Sequence, residues 1–512
     1  EADMSEDSDD NLWRGRLSEE IDKDMAEYIS SLAADKMIAE IDIDVMQAHN
    51  FMLCKQGITS REDLAKIVGA FERAREDLKS GKLDLDDPEN LKHIDVHPLM
   101  EKYVIDACGV DIGGKTHFGK SRNDQVMTDV RIRLRDEVIG ISGLLLDFIR
   151  SLVTIAEQHT ETVMPGYTHM QHAQITTYAH YLMSYVDIFS RDIGRLSDLY
   201  NRLNLCPLGA SALAGSSIEI DRGYTAELLG FDGVLENTID AVSNRDFILE
   251  FGSVAAILMT TLGRMARDLI TWSTFEFGMI EFDDRFSDIS SAMPQKKNPC
   301  SAEMVKGKTG LAIGSLMQLF VTVESSPTGY NLEFQELNAS LWEFIPAVKS
   351  TIKIMKSIVE TLTIDKERMR EVSIKNNITA LDLAEVIARD KDANVSFREA
   401  HFIVGNIVRE MISQEKTLTD ITPDYVKEIG KKITGKEISL SKEDLQGVVD
   451  PLISVTRRKN LGHPAPSEVN RMIGARRENI SGMEKMISGR KEKVEESRKM
   501  LRDNVNQVLG KS

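Results

Sequence analysis

Much that would mark a chain for a membrane, a structural metal or an oxidising compartment is missing from these 512 residues. No run of 18 apolar residues occurs; the most apolar helical stretch, residues 139–155, is broken by Asp147 and Arg150. The four cysteines, Cys54, Cys108, Cys206 and Cys300, lie far apart without a CxxC pair. That excludes zinc spacing and a disulfide framework, and reads as reduced thiols in a cytoplasmic protein. The acidic opening EADMSEDSDD lacks the basic and apolar pattern of a signal or transit peptide. Basic charge is also short: 63 Lys and Arg stand against 82 Asp and Glu, a formal net charge of −19. Such a balance argues against nucleic acid or an anionic membrane as partner, and an anionic substrate would need a local basic pocket. Strand-like alternation is scarce, and neither internal repeat nor low-complexity linker is present.

Long helical periodicity fills the middle of the chain. Residues 124–158 contain no proline, and Val130, Leu134, Val138, Ile141, Leu145, Ile149, Leu152 and Ala156 recur in three- and four-residue steps. Such a helix would run roughly 50 Å. Residues 176–203, 244–274, 301–323 and 333–362 repeat the pattern, the last interrupted only by Pro346. Helices of this length need a bundle to cover them, so the expected class is all-α. Three regions follow: 1–112 with shorter helices, 113–365 as a central long-helix bundle, and 366–512 as a C-terminal helical region. The charged tail 476–511 reads as a solvated or edge-packing helix.

Three segments carry candidate chemistry, each beside the start of a long helix. Residues 290–299 read SSAMPQKKNP: a serine pair, a proline-stiffened turn, two lysines and an asparagine before a helix. Lysine supplies fixed positive charge, asparagine a neutral donor, and the helix start free N–H groups, which suits an anion or a carbanion. An ordinary turn with a solvated lysine pair is the plain alternative. Residues 119–129 read GKSRNDQVMTD, where Arg122, Asn123 and Asp124 could grip a carboxylate or simply cap a helix. Residues 166–174 read GYTHMQHAQ. His169 there is either a structural histidine or a proton-transfer group, for which imidazole is suited near neutrality.

The string SSAMPQKKNP resembles the signature loop GSSxMPxKxNP of the fumarase/aspartase superfamily, with Ile289 where most members carry glycine. Gln295, Lys297 and the SRNDQ segment are similar to the argininosuccinate lyase family within it. The GYTHMQ segment also resembles that superfamily, with His172 where arginine or proline is more usual. Further likeness comes from LWRGRL at 12–17, SLAADK at 31–36, DVH at 95–97, PLGASALAG at 207–215, NTIDAVSNRDF at 237–247 and YNLEFQELN at 330–338. SVTRRKNLGHPAPSEV at 454–469 echoes the family's C-terminal pattern, with His463 replacing a glycine. The likeness spans roughly residues 12–473.

The resemblance implies a homotetramer with a twenty-helix core and active sites shared between three subunits. It implies β-elimination of argininosuccinate to arginine and fumarate, in arginine biosynthesis, with no metal, nucleotide or organic cofactor. Ser290 would abstract the proton, and Lys296 and Asn298 would hold the carboxylate of the aci-carboxylate intermediate. His169, backed by Glu303, would protonate the leaving nitrogen; the exchange of base and acid between Ser290 and His169 stays open. Ser31, Arg122, Asn123, Thr168, Tyr330 and Gln335 would bind substrate. Asn338 stands where the family often has lysine, which leaves one carboxylate contact open, to a nearby basic residue or to none. The alternatives are a related lyase on another N-substituted aspartate, such as adenylosuccinate, and a catalytically silent crystallin-like relative.

Overall fold

The computed structural model describes residues 16–511 apart from residue 18. Residues 12–15 of the LWRGRL segment therefore lie outside the described residues. The chain is all-α, with short two-stranded ladders at the helix ends. An N-terminal layer packs α1 (Ala39–Lys55), α2 (Arg61–Ser80) and α3 (Val96–Cys108) around Ile43, Ile67, Phe71 and Met100.

Five long helices follow, and the bounds track the apolar periodicity closely. The first, α4 (Arg122–Glu157), starts at a capping box in which the Ser121 N–H donates to Asp124 Oδ1 across 2.9 Å. Asp124 Oδ2 also accepts from the N–H groups of Gly209 (2.9 Å) and Ser211 (2.7 Å), pinning the 207–215 loop to this helix start. Gly209 has φ +87, and a Cβ there would come within 2.7 Å of the Arg222 side chain, so only glycine fits. After α4, strands β1 (Val163–Thr168) and β2 (Gln171–Thr177) form an antiparallel hairpin leading into α5 (Tyr178–Leu203). Next comes α6 (Asp246–Trp272). A second, shorter hairpin of β3 (Asp288–Ile289) and β4 (Lys297–Asn298) precedes α7 (Cys300–Ser325). The fifth, α8 (Gln335–Thr361), continues through Pro346, the one position where the sequence pattern is interrupted.

These helices alternate in direction, which gives the bundle two poles. At the proximal pole Val126, Met127 and Val130 of α4 meet Arg245, Ile248, Tyr330 and Gln335. At the distal pole Tyr167 of β1 packs 5.7 Å from Phe277 beyond α6, and Ile280–Glu281 pairs with Thr363–Ile364 beyond α8. At 1.5 Å per residue α4 sets the poles about 50 Å apart. A continuous core built from Leu145, Phe148, Phe189, Phe251, Leu262, Leu341 and Ile352 fills the space between. The chain covers α7 poorly, however. Ile313, Met317, Phe320 and Val321 fall on one helical stripe and are 43–61% exposed.

Beyond α8, a separate small core around Leu383, Ile403, Val404, Ile407 and Val448 holds the helices of residues 380–449 together. The last helix, α9 (Pro466–Val508), leaves that unit and lies along the central bundle. Its Val469, Met472, Ile473 and Ile480 join the main core, while Leu501 and Val505 pack on Val45, Ala48 and Val68 of the N-terminal layer. Arg476–Asp187 (2.7 Å) and Arg477–Glu157 (2.7 Å) tie its charged face to α5 and α4.

Candidate active site

Each candidate residue sits at one pole or the other, and the division is strict. The proximal pole collects Ser31, Arg122, Asn123, Tyr330 and Gln335. Ser31 Oγ donates to Asp35 Oδ2 across 2.8 Å, and the same oxygen accepts the Val96 N–H at 3.1 Å. Next door, Asp95 Oδ2 accepts from Arg122 Nη1 at 2.8 Å, while Asp95 Oδ1 lies 2.9 Å from His97 Nδ1. The other imidazole nitrogen lies 2.9 Å from Asp129 Oδ2. Asn123 Nδ2 donates to the Ala212 carbonyl at 3.1 Å. Tyr330 lies in the field of Arg122, Asp95, Arg245 and Asp35, and burial pushes its phenol up to about 12.

Burial penalises every charge here, and the neighbouring charges decide which groups keep theirs. Asp35 is pushed up to about 6 by burial, against the pull of His97. Burial opposes charge on His97, but the carboxylates of Asp129, Asp42 and Asp95 outweigh it and hold the imidazole well above its ordinary value. Burial likewise acts to raise Asp95, and His97 with Arg122 overcomes it to hold that carboxyl below its usual range. Asp42, His97 and Asp129 place one donor atom each within 4.8 Å of one another, a metal-like spacing. Both imidazole nitrogens are already taken by carboxylates, however, so the trio is a hydrogen-bonded charge network beneath Arg122.

The distal pole carries Thr168, His169, Ser290, Lys296, Asn298 and Glu303. Thr168 and Gln171 are paired across the hairpin, leaving His169 (φ 54) and Met170 (φ 57) as its two-residue tip. Neither is a glycine, and a left-handed backbone is costly for such residues, so a strained turn presents the imidazole outward. His172, at the variable position, lies 3.0 Å from the Tyr167 hydroxyl and braces the hairpin. Among the described residues no hydrogen bond joins His169 to Glu303 within one chain. Glu303 sits in the first turn of α7 beside the Cys300 thiol.

In the signature loop the register pairs Asp288 with Asn298 and Ile289 with Lys297. Ile289 is thus extended ladder backbone, which explains why this position needs no glycine. Ser290 Oγ accepts from the N–H groups of Ala292 (3.3 Å) and Met293 (3.1 Å). Two backbone donors converging on one hydroxyl oxygen favour its negatively charged form. The twin lysines divide. Lys297 Nζ pairs with Glu281 (2.9 Å) and Asp284 (2.7 Å), tying the loop to the preceding turn. Lys296 is exposed and makes no ion pair among the described residues, so its charge is available to an anion.

Sequence reasoning did not single out Asp35, Asp129 or Arg245. The D-x-H spacing of DVH could have pointed to the buried network, and Asp35 and Asp129 lie within the SLAADK and GKSRNDQVMTD segments, but neither string says that its acid turns toward His97.

Comparison with known proteins bears on the whole chain. A family profile described as "Lyase" matches residues 15–314, and one described as "Argininosuccinate lyase C-terminal" matches 377–455. An argininosuccinate lyase of Methanosarcina acetivorans is 41% identical over 472 residues, 92% of this chain and 93% of that protein. One from Methanocaldococcus jannaschii is 40% identical over 474 residues, 93% and 95% of the two chains. Among solved structures, an EDDS lyase in complex with formate superposes with a TM-score of 0.84 at 30% identity, covering 93% of each chain. A class II fumarase from Schistosoma mansoni, at 15% identity and TM-score 0.66 over 81% of this chain and 90% of its own, shares the fold.

Proposed function

This chain belongs to the argininosuccinate lyase family of the fumarase/aspartase superfamily, and on that footing we propose that it splits argininosuccinate into arginine and fumarate. The observation that carries the chemistry is the Ser290 hydroxyl, held by two backbone N–H groups in a loop with an unpaired lysine. Serine is a poor base in water; this cradle, with Lys296 in the same loop, lowers the cost of its alkoxide. The alkoxide takes the proton from the succinyl carbon next to a carboxylate. Negative charge then gathers on that carboxylate, where Lys296 and Asn298 stabilise it more than in the ground state. The electron pair forms the fumarate double bond as the C–N bond breaks, and the departing guanidino nitrogen takes a proton from His169.

One chain cannot assemble this site. The proximal binding set and the distal chemical set are about 50 Å apart along α4, far more than an amino-acid substrate spans. A homotetramer, with the α7 stripe of Ile313, Met317, Phe320 and Val321 buried between copies, brings proximal and distal poles of different subunits together. In that assembly Glu303 of one copy backs His169 of another. The four cysteines are all free thiols, which suits a cytoplasmic site of action.

The test is the rise in fumarate absorbance with argininosuccinate, adenylosuccinate and aspartate offered separately. Release from argininosuccinate alone is expected. Release only from adenylosuccinate would move the chain to a sister activity, and silence with all three would make it a non-catalytic relative.

A further inference from the structure

Part-way along the bundle, α4 and α8 leave a cavity of about 250 Å³ between them that no step of the proposed reaction uses. Arg133 and Glu137 of α4 line one side; Arg133 lies eleven residues, about 16 Å along the helix, beyond Arg122. Trp342, Pro346, Lys349 and Lys353 of α8 line the other.

The charge in this cavity is unbalanced. Both oxygens of Glu137 are spent, one on Arg133 Nη2 (2.7 Å) and one on Lys349 Nζ (2.8 Å). Lys353 is exposed and makes no ion pair among the described residues. Three cations against one carboxylate leave two positive charges uncompensated, in a chain whose net charge is −19. Hydrogen bonding is unbalanced in the same direction. Trp342 is 9% exposed, yet among the described residues its indole N–H has no partner, and Arg133 Nε is likewise buried and unpaired. An unpaired buried donor costs free energy that an acceptor recovers. Beside these donors the Trp342 ring and Pro346 give an apolar surface. The surrounding face of α8, where Glu343, Ser350 and Lys353 are exposed, is polar, unlike the apolar α7 stripe assigned to contacts between copies. That polarity suits a face open to solvent.

We propose that this cavity binds a small phosphate monoester, its phosphate among Arg133, Lys349 and Lys353 and its planar body against Trp342. Such a group carries about −1.5 to −2 charge at neutral pH and three acceptor oxygens, which matches both the excess charge and the unpaired donors. The volume lies just below the usual range for ligand pockets, which limits the body to roughly one ring.

Phenyl phosphate is the probe, with inorganic phosphate supplying the head alone and phenol the body alone. Calorimetric titration of the assembled, full-length protein measures each affinity, and tryptophan emission reports where the ring sits. Phenyl phosphate should bind roughly 10- to 100-fold more tightly than either fragment, as charge-assisted hydrogen bonds and a ring contact together predict. It should quench emission from the wild type but not from Trp342→Phe, which keeps Trp13 and Trp272. Lys353→Glu should weaken phenyl phosphate roughly tenfold or more. Lys296→Met should leave that affinity unchanged, which separates this cavity from the signature loop. Lys353 is exposed, so its variant tests the site even where Trp342→Phe fails to assemble. Absence of phenyl phosphate binding overturns the proposal, as does inorganic phosphate binding equally well. Quenching that persists in Trp342→Phe, full affinity in Lys353→Glu or loss of affinity in Lys296→Met overturns it too. Binding is read without turnover, so the result stands apart from the lyase activity.

Discussion

Arg122 reaches Asp95 with a 2.8 Å hydrogen bond, and Asp95 in turn holds His97 across 2.9 Å. The exposed end of this chain faces the proposed substrate, while its root is buried with Asp129 and Asp42. A buried charge network of this kind fixes the direction of the arginine fork more than it adds stability.

Asp95→Asn should therefore free Arg122. The expected result is a KM raised about tenfold, together with a loss of roughly 2–3 kcal/mol in stability from the weakened bonds to charged groups. Steady-state kinetics and thermal melts measure the two effects. A wild-type KM in a folded Asp95→Asn enzyme would show that Arg122 needs no tether.

The two lysines of the signature loop should respond very differently to the same change. Lys297→Met removes partly exposed pairs with Glu281 and Asp284, which are worth about 1 kcal/mol or less, and should alter turnover little. Lys296→Met should lower kcat and raise KM together, because the charge it removes binds the carboxylate before and, more strongly, during carbanion formation. Equal losses in the two variants would contradict the division of labour read from the ion pairs.

Ser290→Ala should cost roughly 100- to 10,000-fold in kcat with a modest change in KM, since the hydroxyl acts at proton transfer. Near-normal turnover with the assembly intact would move the base to another group, His169 first.

Acid should destabilise the protein through His49. This side chain is fully buried, with Nε2 2.8 Å from the Phe118 carbonyl, and burial pulls its pKa from 6.5 down to about 3, with Lys120 and His117 adding repulsion. Between those values the unfolded chain takes a proton that the folded chain refuses. Stability is therefore complete above the unfolded pKa and falls as the pH drops below it. From pH 6.5 to 5 this one group costs about 2 kcal/mol at ~1.36 kcal/mol per unit. Melts of wild type and His49→Gln at pH 7 and pH 5 check this: the variant should lose less on acidification, and an unchanged difference would remove His49 as the cause.

The long helices were legible because an apolar stripe recurring every three or four residues has few other solutions, and α4 to α8 fall where that stripe runs. The motif residues were legible as strings. Their arrangement was not: GYTHMQHAQ reads as a lead-in to a helix but forms a hairpin with a left-handed tip at His169. A short alternating stretch has too little periodicity to announce a strand pair. Likewise KKN cannot say which lysine is spent on Glu281 and Asp284, because those partners are fixed by a turn rather than by spacing. The tail of 476–511 reads as a charged edge helix, and only the folded chain reveals that its arginines reach Asp187 and Glu157.

The separation of the two poles leads to the most demanding prediction. Arg122→Ala damages the proximal pole and Ser290→Ala the distal one, so each variant alone should be nearly inactive. If every site takes its proximal residues from one copy and Ser290 from another, hybrids contain sites with neither lesion. After equal mixing with full subunit exchange, roughly a quarter of the sites should be intact, because each of two independent contributions is sound half the time. Activity should then climb toward that fraction as exchange proceeds, which native mass spectrometry of differently tagged copies can follow. If exchange runs to completion and activity stays at the level of the parents, both poles must serve their own chain. The helices would then have to bend far enough to bring Arg122 and Ser290 together across about 50 Å, which a packed bundle of this length cannot do.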